Sequence, residues 1–196
     1  TTAHPMIAAM NDLRYDAVAL GNHEFDYGLD YLTRVLTDAQ MPVVCANLRT
    51  DRQRTLYPPW TLLTRDMRCE DGQIQVLRIG VVGFVTPQIV DWDAHLLQGR
   101  VMTDDIVAAA RTYLPQIRRA GADIIVALCH SGISGRAAFD RMENAALPLA
   151  ALPGIDVVLT GHTHDLFPSP LFDGIDGIDT ARAKLHGNDP QRRSSL

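Results

Sequence analysis

Asp16-Ala17-Val18-Ala19-Leu20-Gly21-Asn22-His23-Glu24 is a short apolar run that ends abruptly in glycine and then in side chains able to hold a cation. The same design recurs where Asp123 to Cys129 leads into His130-Ser131-Gly132. It recurs again where Asp156 to Thr160 leads into Gly161-His162-Thr163-His164. Each run has the length and composition of a buried strand, and open α/β sheets gather ligands in the crevice beyond the carboxyl ends of their strands. The spacing therefore predicts three strand ends on one edge of a sheet, with residues far apart in sequence meeting in one pocket.

Outward from the first run, Met6 to Leu13 reads as a helix feeding the strand. Leu29, Leu32, Val35 and Leu36 give the next helix its apolar stripe, and Pro42 to Asn47 reads as a second strand. That is a β-α-β unit, the module of a parallel sheet, and the fold class expected is α/β. From Leu48 to Gly72 the text turns polar, with Asp51-Arg52-Gln53-Arg54 and Pro58-Pro59-Trp60, and predicts a loop or an edge hairpin. Gln75 to Val85 returns to strand character. Thr103 reads as the N-cap of a helix whose first turn holds Asp104 and Asp105, whose interior is bent at Pro115 and which stops at Gly121. A further helix is expected over Ala137 to Leu152 with a break at Pro148. After Pro168 the pattern fades, so residues 169–196 are expected to be poorly structured or incomplete.

The chain has 196 residues, 46% hydrophobic and 21% charged, with a net charge of -5. Those values suit one globular domain and argue against a surface devoted to nucleic acid, which carries a basic patch. Cys45, Cys69 and Cys129 lack the paired close spacing of a disulfide framework or a thiolate zinc site, and read as small buried hydrophobes. No run approaches the ~18 apolar residues of a membrane span, and the start holds no basic, apolar leader. Beginning at Thr1 and entering an amphipathic pattern at once, the chain reads as one that opens within a domain.

His162 and His164 flank one residue, so in extended geometry their side chains leave one face about 7 Å apart, within reach of adjacent metals. Asn22 is either a neutral oxygen ligand, suited to Mn²⁺ or Zn²⁺ in a mixed O/N site, or an Asx turn or N-cap. His23 points away from its neighbour and is free for acid chemistry, with Asp26 three residues on able to fix its tautomer. Asp26 is otherwise a helix cap. Charge is short in this set: Asn22, His130, His162 and His164 are all neutral as ligands, whereas two dications about 3.5–4 Å apart need an anionic bridge. Glu24, Asp26 and Asp165 read as supporting groups or caps.

Gly21 to Gly28, Cys129 to Gly132 and Gly161 to His164, in that order, resemble the calcineurin-like metallophosphoesterases. The resemblance runs from about His4 to Phe167 and lies in the branch of bacterial periplasmic 5′-nucleotidases and 2′,3′-cyclic-nucleotide 2′-phosphodiesterase/3′-nucleotidases. Gly83 to Ile89 with Asp91-Trp92-Asp93 is more similar to the cyclic phosphodiesterase side. The resemblance implies a four-layer α/β/β/α sandwich, here incomplete, so that residues 1–196 are part of an N-terminal catalytic domain. It implies two divalent cations (Mn, Zn, Fe, Co or Mg), one held by Asn22, His130 and His162 and the other by His164, with His23 and Asp26 as a catalytic dyad. The family's Asp-x-His and Gly-Asp, the latter supplying the bridging carboxylate, are absent from this sequence, and the segment alone is expected to be weakly active or inactive. The substrate implied is a small nucleotide, not nucleic acid or membrane, bound with a C-terminal domain, in the periplasm. Alternatives on the same residues are a 5′-nucleotidase or nucleotide-sugar hydrolase, and a non-enzymatic metal-binding scaffold.

Overall fold

The structure, a computed structural model, describes residues 3–50, 54–135 and 137–180. Helix α1 (Pro5–Asp12) starts with proline in its first turn, capped by His4, whose Nδ1 accepts from the Met6 N–H. It leads to β1 (Val18–Ala19), then through a 3-10 turn at His23–Phe25 to α2 (Gly28–Leu36), and back to β2 (Val43–Val44). β1 and β2 pair in parallel, Val18 opposite Val43, as the β-α-β pattern predicts. Next come β3 (Leu48–Arg49), β4 (Trp60–Arg68) and β5 (Ile74–Val85), followed by the one-turn helices α3 (Ile89–Trp92) and α4 (Ala94–Leu97). β6 (Met102–Thr103), α5 (Ile106–Arg119), β7 (Ile124–His130), α6 (Ala146–Ala150) and β8 (Val157–Thr160) complete the order.

The three strand ends lie in two sheets, not on one edge of a single sheet. β4-β5-β7-β8 form a mixed sheet in which β5, β7 and β8 run parallel and β4 is the antiparallel edge hairpin. β1 belongs to the separate β1-β2 pair, which packs against β5 and β7. Gly83 shows how closely the two layers approach: a Cβ there would lie 2.0 Å from the Val44 carbonyl oxygen. Across that contact the Ala46 N–H donates to the Gly83 carbonyl at 2.7 Å.

Alternation along β5 builds the layers. Val82 and Phe84 join Ile125, Ala127 and Cys129 of β7 in a core closed by Ile106, Ala110, Leu114 and Ile117 of α5 and Leu149 of α6. Val85 points the other way, into a second core of Leu20, Phe25, Leu29, Leu32, Leu48, Ile89 and Leu97 around α2, α3 and α4. Helices outside two stacked sheets are the α/β/β/α order that the resemblance implies.

Several expectations are corrected. Asp105, not Thr103, caps α5: its carboxylate accepts the Ala108 N–H at 2.8 Å. Thr103 is in β6 and its hydroxyl donates to the Pro87 carbonyl at 2.7 Å, while Asp104 pairs with Arg49. The helix expected over Ala137 to Leu152 is only the five residues of α6, with Pro148 inside it. Side chains take the backbone groups a longer helix would need. Ser131 Oγ accepts from the Ala145 N–H and Ser134 Oγ donates to the Asn144 carbonyl, while the Asn144 side chain reaches out to accept from the Gly132 N–H. Asp51 to Gln53 and residues 181–196 lie outside the described residues. Residues 169–180 include a 3-10 turn at Pro170–Phe172, and Phe172 is buried edge-on against Phe167. Among the described residues no helix is long and apolar enough to cross a membrane.

Candidate metal centre

β1 and β7 bring Asn22 and His130 together from different sheets. Asn22 Oδ1 lies 2.9 Å from His130 Nε2, across 108 residues of chain. The Asx-turn or cap reading of Asn22 does not hold: it precedes the 3-10 turn, but its side chain makes no capping bond. Gly21 leaves space for the imidazole, since a Cβ there would lie 2.8 Å from two His130 ring atoms and 2.9 Å from Glu24 Oε2. Glu24 Oε2 accepts the Gly21 N–H at 2.6 Å and so closes the turn that carries Asn22. Burial first, and the neighbouring His162 second, hold His130 below the usual imidazole range, with Glu24 opposing. A neutral ring is the form that can ligate a cation.

β8 delivers His162. Its ring lies edge-on to His130, with centroids 5.4 Å apart and planes at 63°. The segment Gly161 to His164 is not extended: His162 has φ +80° and His164 φ +58°. Two left-handed residues that are not glycine mark a turn held by its surroundings, of the kind that collects at functional sites. Here the Thr160 hydroxyl donates to the Ser131 carbonyl and the Thr163 N–H donates to the Gly161 carbonyl at 3.1 Å. The same-face spacing expected for His162 and His164 is therefore lost. His164 lines a small cavity with Ile133, Asp165, Phe167 and Phe172.

His23 stands at the rim with its Nδ1 3.1 Å from Asp26 Oδ2; the two side chains are 73% and 47% exposed. Asp26 caps no helix with its side chain, because neither the 3-10 turn nor α2 has a side-chain capping bond. Cys129 adjoins His130 in sequence but faces the α5 core. Burial pushes the Cys45 and Cys129 thiols up to about 12, so neither is a thiolate donor, and Cys69 is half-buried.

Two neighbours of His162 were given no role at the site by the sequence reading. Glu143 Oε1 is 3.0 Å from His162 Nε2, and the Trp92 indole stacks on the ring at 5.7 Å with planes at 19°. Glu143 is a carboxylate that the charge accounting above did not include. Glu143 comes from an irregular segment, where periodicity is silent, and Trp92 from the one-turn helix α3, too short to show a period. Among the described residues no three His, Cys, Asp or Glu side chains form a ready cage. The donor set of one amide oxygen and imidazole nitrogens, gathered in the space left by Gly21, nevertheless fits a borderline or hard divalent cation.

Residues 3–166 match the family described as calcineurin-like phosphoesterase. The chain belongs to this family. It is 42% identical over 185 residues to a 2′,3′-cyclic-nucleotide 2′-phosphodiesterase/3′-nucleotidase of Salmonella typhimurium, covering 94% of this chain and 29% of that protein. It is 40% identical over 188 residues to the trifunctional nucleotide phosphoesterase protein YfkN of Bacillus subtilis, covering 95% of this chain and 13% of that one. The crystal structure of the calcineurin-like phosphoesterase YfkN superposes with a TM-score of 0.88 at 41% identity, over 92% of this chain and 55% of that one. The phosphoesterase chain described here thus spans less than a third of the length of these two curated relatives.

Proposed function

We propose that this protein hydrolyses nucleotide phosphoesters, with 2′,3′-cyclic nucleotides and 3′-nucleotides as substrates, at the centre formed by Asn22, His130 and His162. The observation that carries the reading is the meeting of Asn22 Oδ1 and His130 Nε2 at 2.9 Å from two different sheets, with the His162 ring beside them. Similarity to relatives named for this activity supports the substrate class.

Asn22, His130 and His162 would hold one divalent cation and His164 a second. When bound, such cations lower the pKa of water and offset charge on a phosphoryl group. The chain's own residues supply proton and position. His23 donates Nδ1–H to Asp26, which keeps the ring oriented. Its Nε2 can then give a proton to a leaving or non-bridging oxygen of the substrate. Residues 1–196 would be part of a catalytic domain that works with a C-terminal substrate domain, in the periplasm, as in the branch the motifs resemble.

Side-by-side assays with 2′,3′-cyclic AMP, 3′-AMP and 5′-AMP at saturating Mn²⁺ test this. Turnover of the first two and not the third is expected, slow in residues 1–196 alone and faster in the full-length protein. Preference for 5′-AMP would assign the 5′-nucleotidase alternative, and turnover of none would leave a metal-binding scaffold.

A further inference from the structure

We propose that Glu143 is a positioning residue for His162: its carboxylate accepts the Nε2–H of that ring and so leaves the lone pair on Nδ1 for a cation. The inference rests on the reading of His162 as a metal ligand and adds a residue to it. Three observations carry it.

The first is the contact itself, 3.0 Å between Glu143 Oε1 and His162 Nε2. A neutral imidazole has one N–H and one lone pair, so a carboxylate at Nε2 selects the tautomer with the proton there.

The second is that Glu143 is held in place. Its backbone carbonyl accepts from Ser131 Oγ at 2.5 Å and from Thr86 Oγ1 at 3.4 Å. Two residues earlier, the Arg141 carbonyl accepts from Gln88 Nε2 at 2.7 Å, and the Arg141 guanidinium pairs with Asp91 at 2.8 Å. Arg141 itself sits at φ +53°, a conformation that costs free energy and persists only where its surroundings impose it. A segment pinned this often, on a backbone that forms no helix, serves to fix what it presents. What it presents to the centre is the Glu143 carboxylate.

The third is the other face of the same ring. Trp92, at the end of α3, stacks on His162, and the Asp91–Arg141 pair ties α3 to the segment bearing Glu143. Ring plane and ring tautomer are thus set by one connected unit, a device by which proteins orient metal-binding histidines.

Co²⁺ titration of the full chain provides the test, followed by visible absorption and by quenching of tryptophan emission. The chain has two tryptophans, and Trp92→Phe identifies the signal that comes from beside His162. Glu143→Ala is expected to raise the Co²⁺ dissociation constant by about 10- to 100-fold. Glu143→Gln, whose amide oxygen can still accept the Nε2–H, is expected to recover most of that loss. The Glu143 side chain is 43% exposed and its anchored backbone is untouched by either change, so both variants should fold; thermal unfolding checks this. Wild-type affinity in both variants, with His162→Ala weakened, overturns the role of Glu143 and leaves the metal reading standing. A loss in Glu143→Gln as deep as in Glu143→Ala makes the carboxylate a direct ligand and also overturns it. Equal binding by wild type and His162→Ala, or no binding by either, removes the metal reading and the inference with it.

Discussion

His23 is an exposed histidine with one ring nitrogen committed to Asp26, and that geometry separates a proton donor from a ligand. His23→Asn should leave metal content unchanged and lower kcat by about 10²- to 10⁴-fold, the scale of a positioned acid. Metal analysis beside steady-state kinetics checks both halves, and loss of metal would make His23 a ligand. Asp26→Asn should cost less, because the amide oxygen can still accept the Nδ1–H and hold the ring in place. An unchanged rate would reduce the pair to a surface contact. At this scale the sequence was informative where chemistry clusters beside glycine. Asn22, His130 and His162 could be picked out because each follows an apolar run. Glu143 could not, since it lies in an irregular segment, and Trp92 could not be given a role, since α3 is a single turn with no period to read.

Among the elements, β7 and β8 owe their alignment to Asp156, whose Oδ2 accepts the Ile125 N–H at 2.7 Å and pairs with Arg118 at 2.8 Å. The Ile125 N–H, and then Arg118, hold this carboxyl below the usual carboxylate range. A carboxylate depressed in the folded state stabilises above its unfolded pKa, near 4, and the effect is lost as pH falls through the lower folded value. Asp156→Asn should therefore destabilise by about 0.5 kcal/mol at neutral pH, with the gap to wild type closing as unfolding is followed below about pH 4. Urea denaturation at pH 7 and pH 3 measures it; a constant gap would mean the charge contributes nothing. Asp105→Ala should cost about 1 kcal/mol through loss of the α5 cap. That cap shows the limit of local reading. Thr103, Asp104 and Asp105 are all plausible caps in isolation, and pairing of β6 with β3 decides among them by drawing Thr103 into a strand. The missing helix before α6 also turns on tertiary contacts: Ser131 and Ser134 claim the Ala145 N–H and the Asn144 carbonyl that a helix would use.

The described residues form a four-stranded sheet stacked on the β1-β2 pair, with a small β3-β6 pair beside them and helices outside, and the surfaces are covered unequally. Leu149 is buried in the α5 core, whereas Leu159 on β8 is 57% exposed. Leu149→Ala should destabilise by about 2–5 kcal/mol, while Leu159→Ser should stay within about 0.5 kcal/mol. Thermal unfolding of the pair distinguishes them, and comparable losses would mean β8 is covered in solution. Strand and helix order could be read from periodicity, but the division into two sheets could not. Parallel strands look alike in sequence whether they pair or stack, and only the Gly83 approach to Val44 separates the cases. That division matters for function because it brings Asn22 to His130 from opposite layers. Anomalous scattering from a crystal soaked in Mn²⁺ tests this convergence most directly. A strong peak within about 2.0–2.3 Å of Asn22 Oδ1, His130 Nε2 and His162 Nδ1 is predicted. No peak at this position would contradict the account.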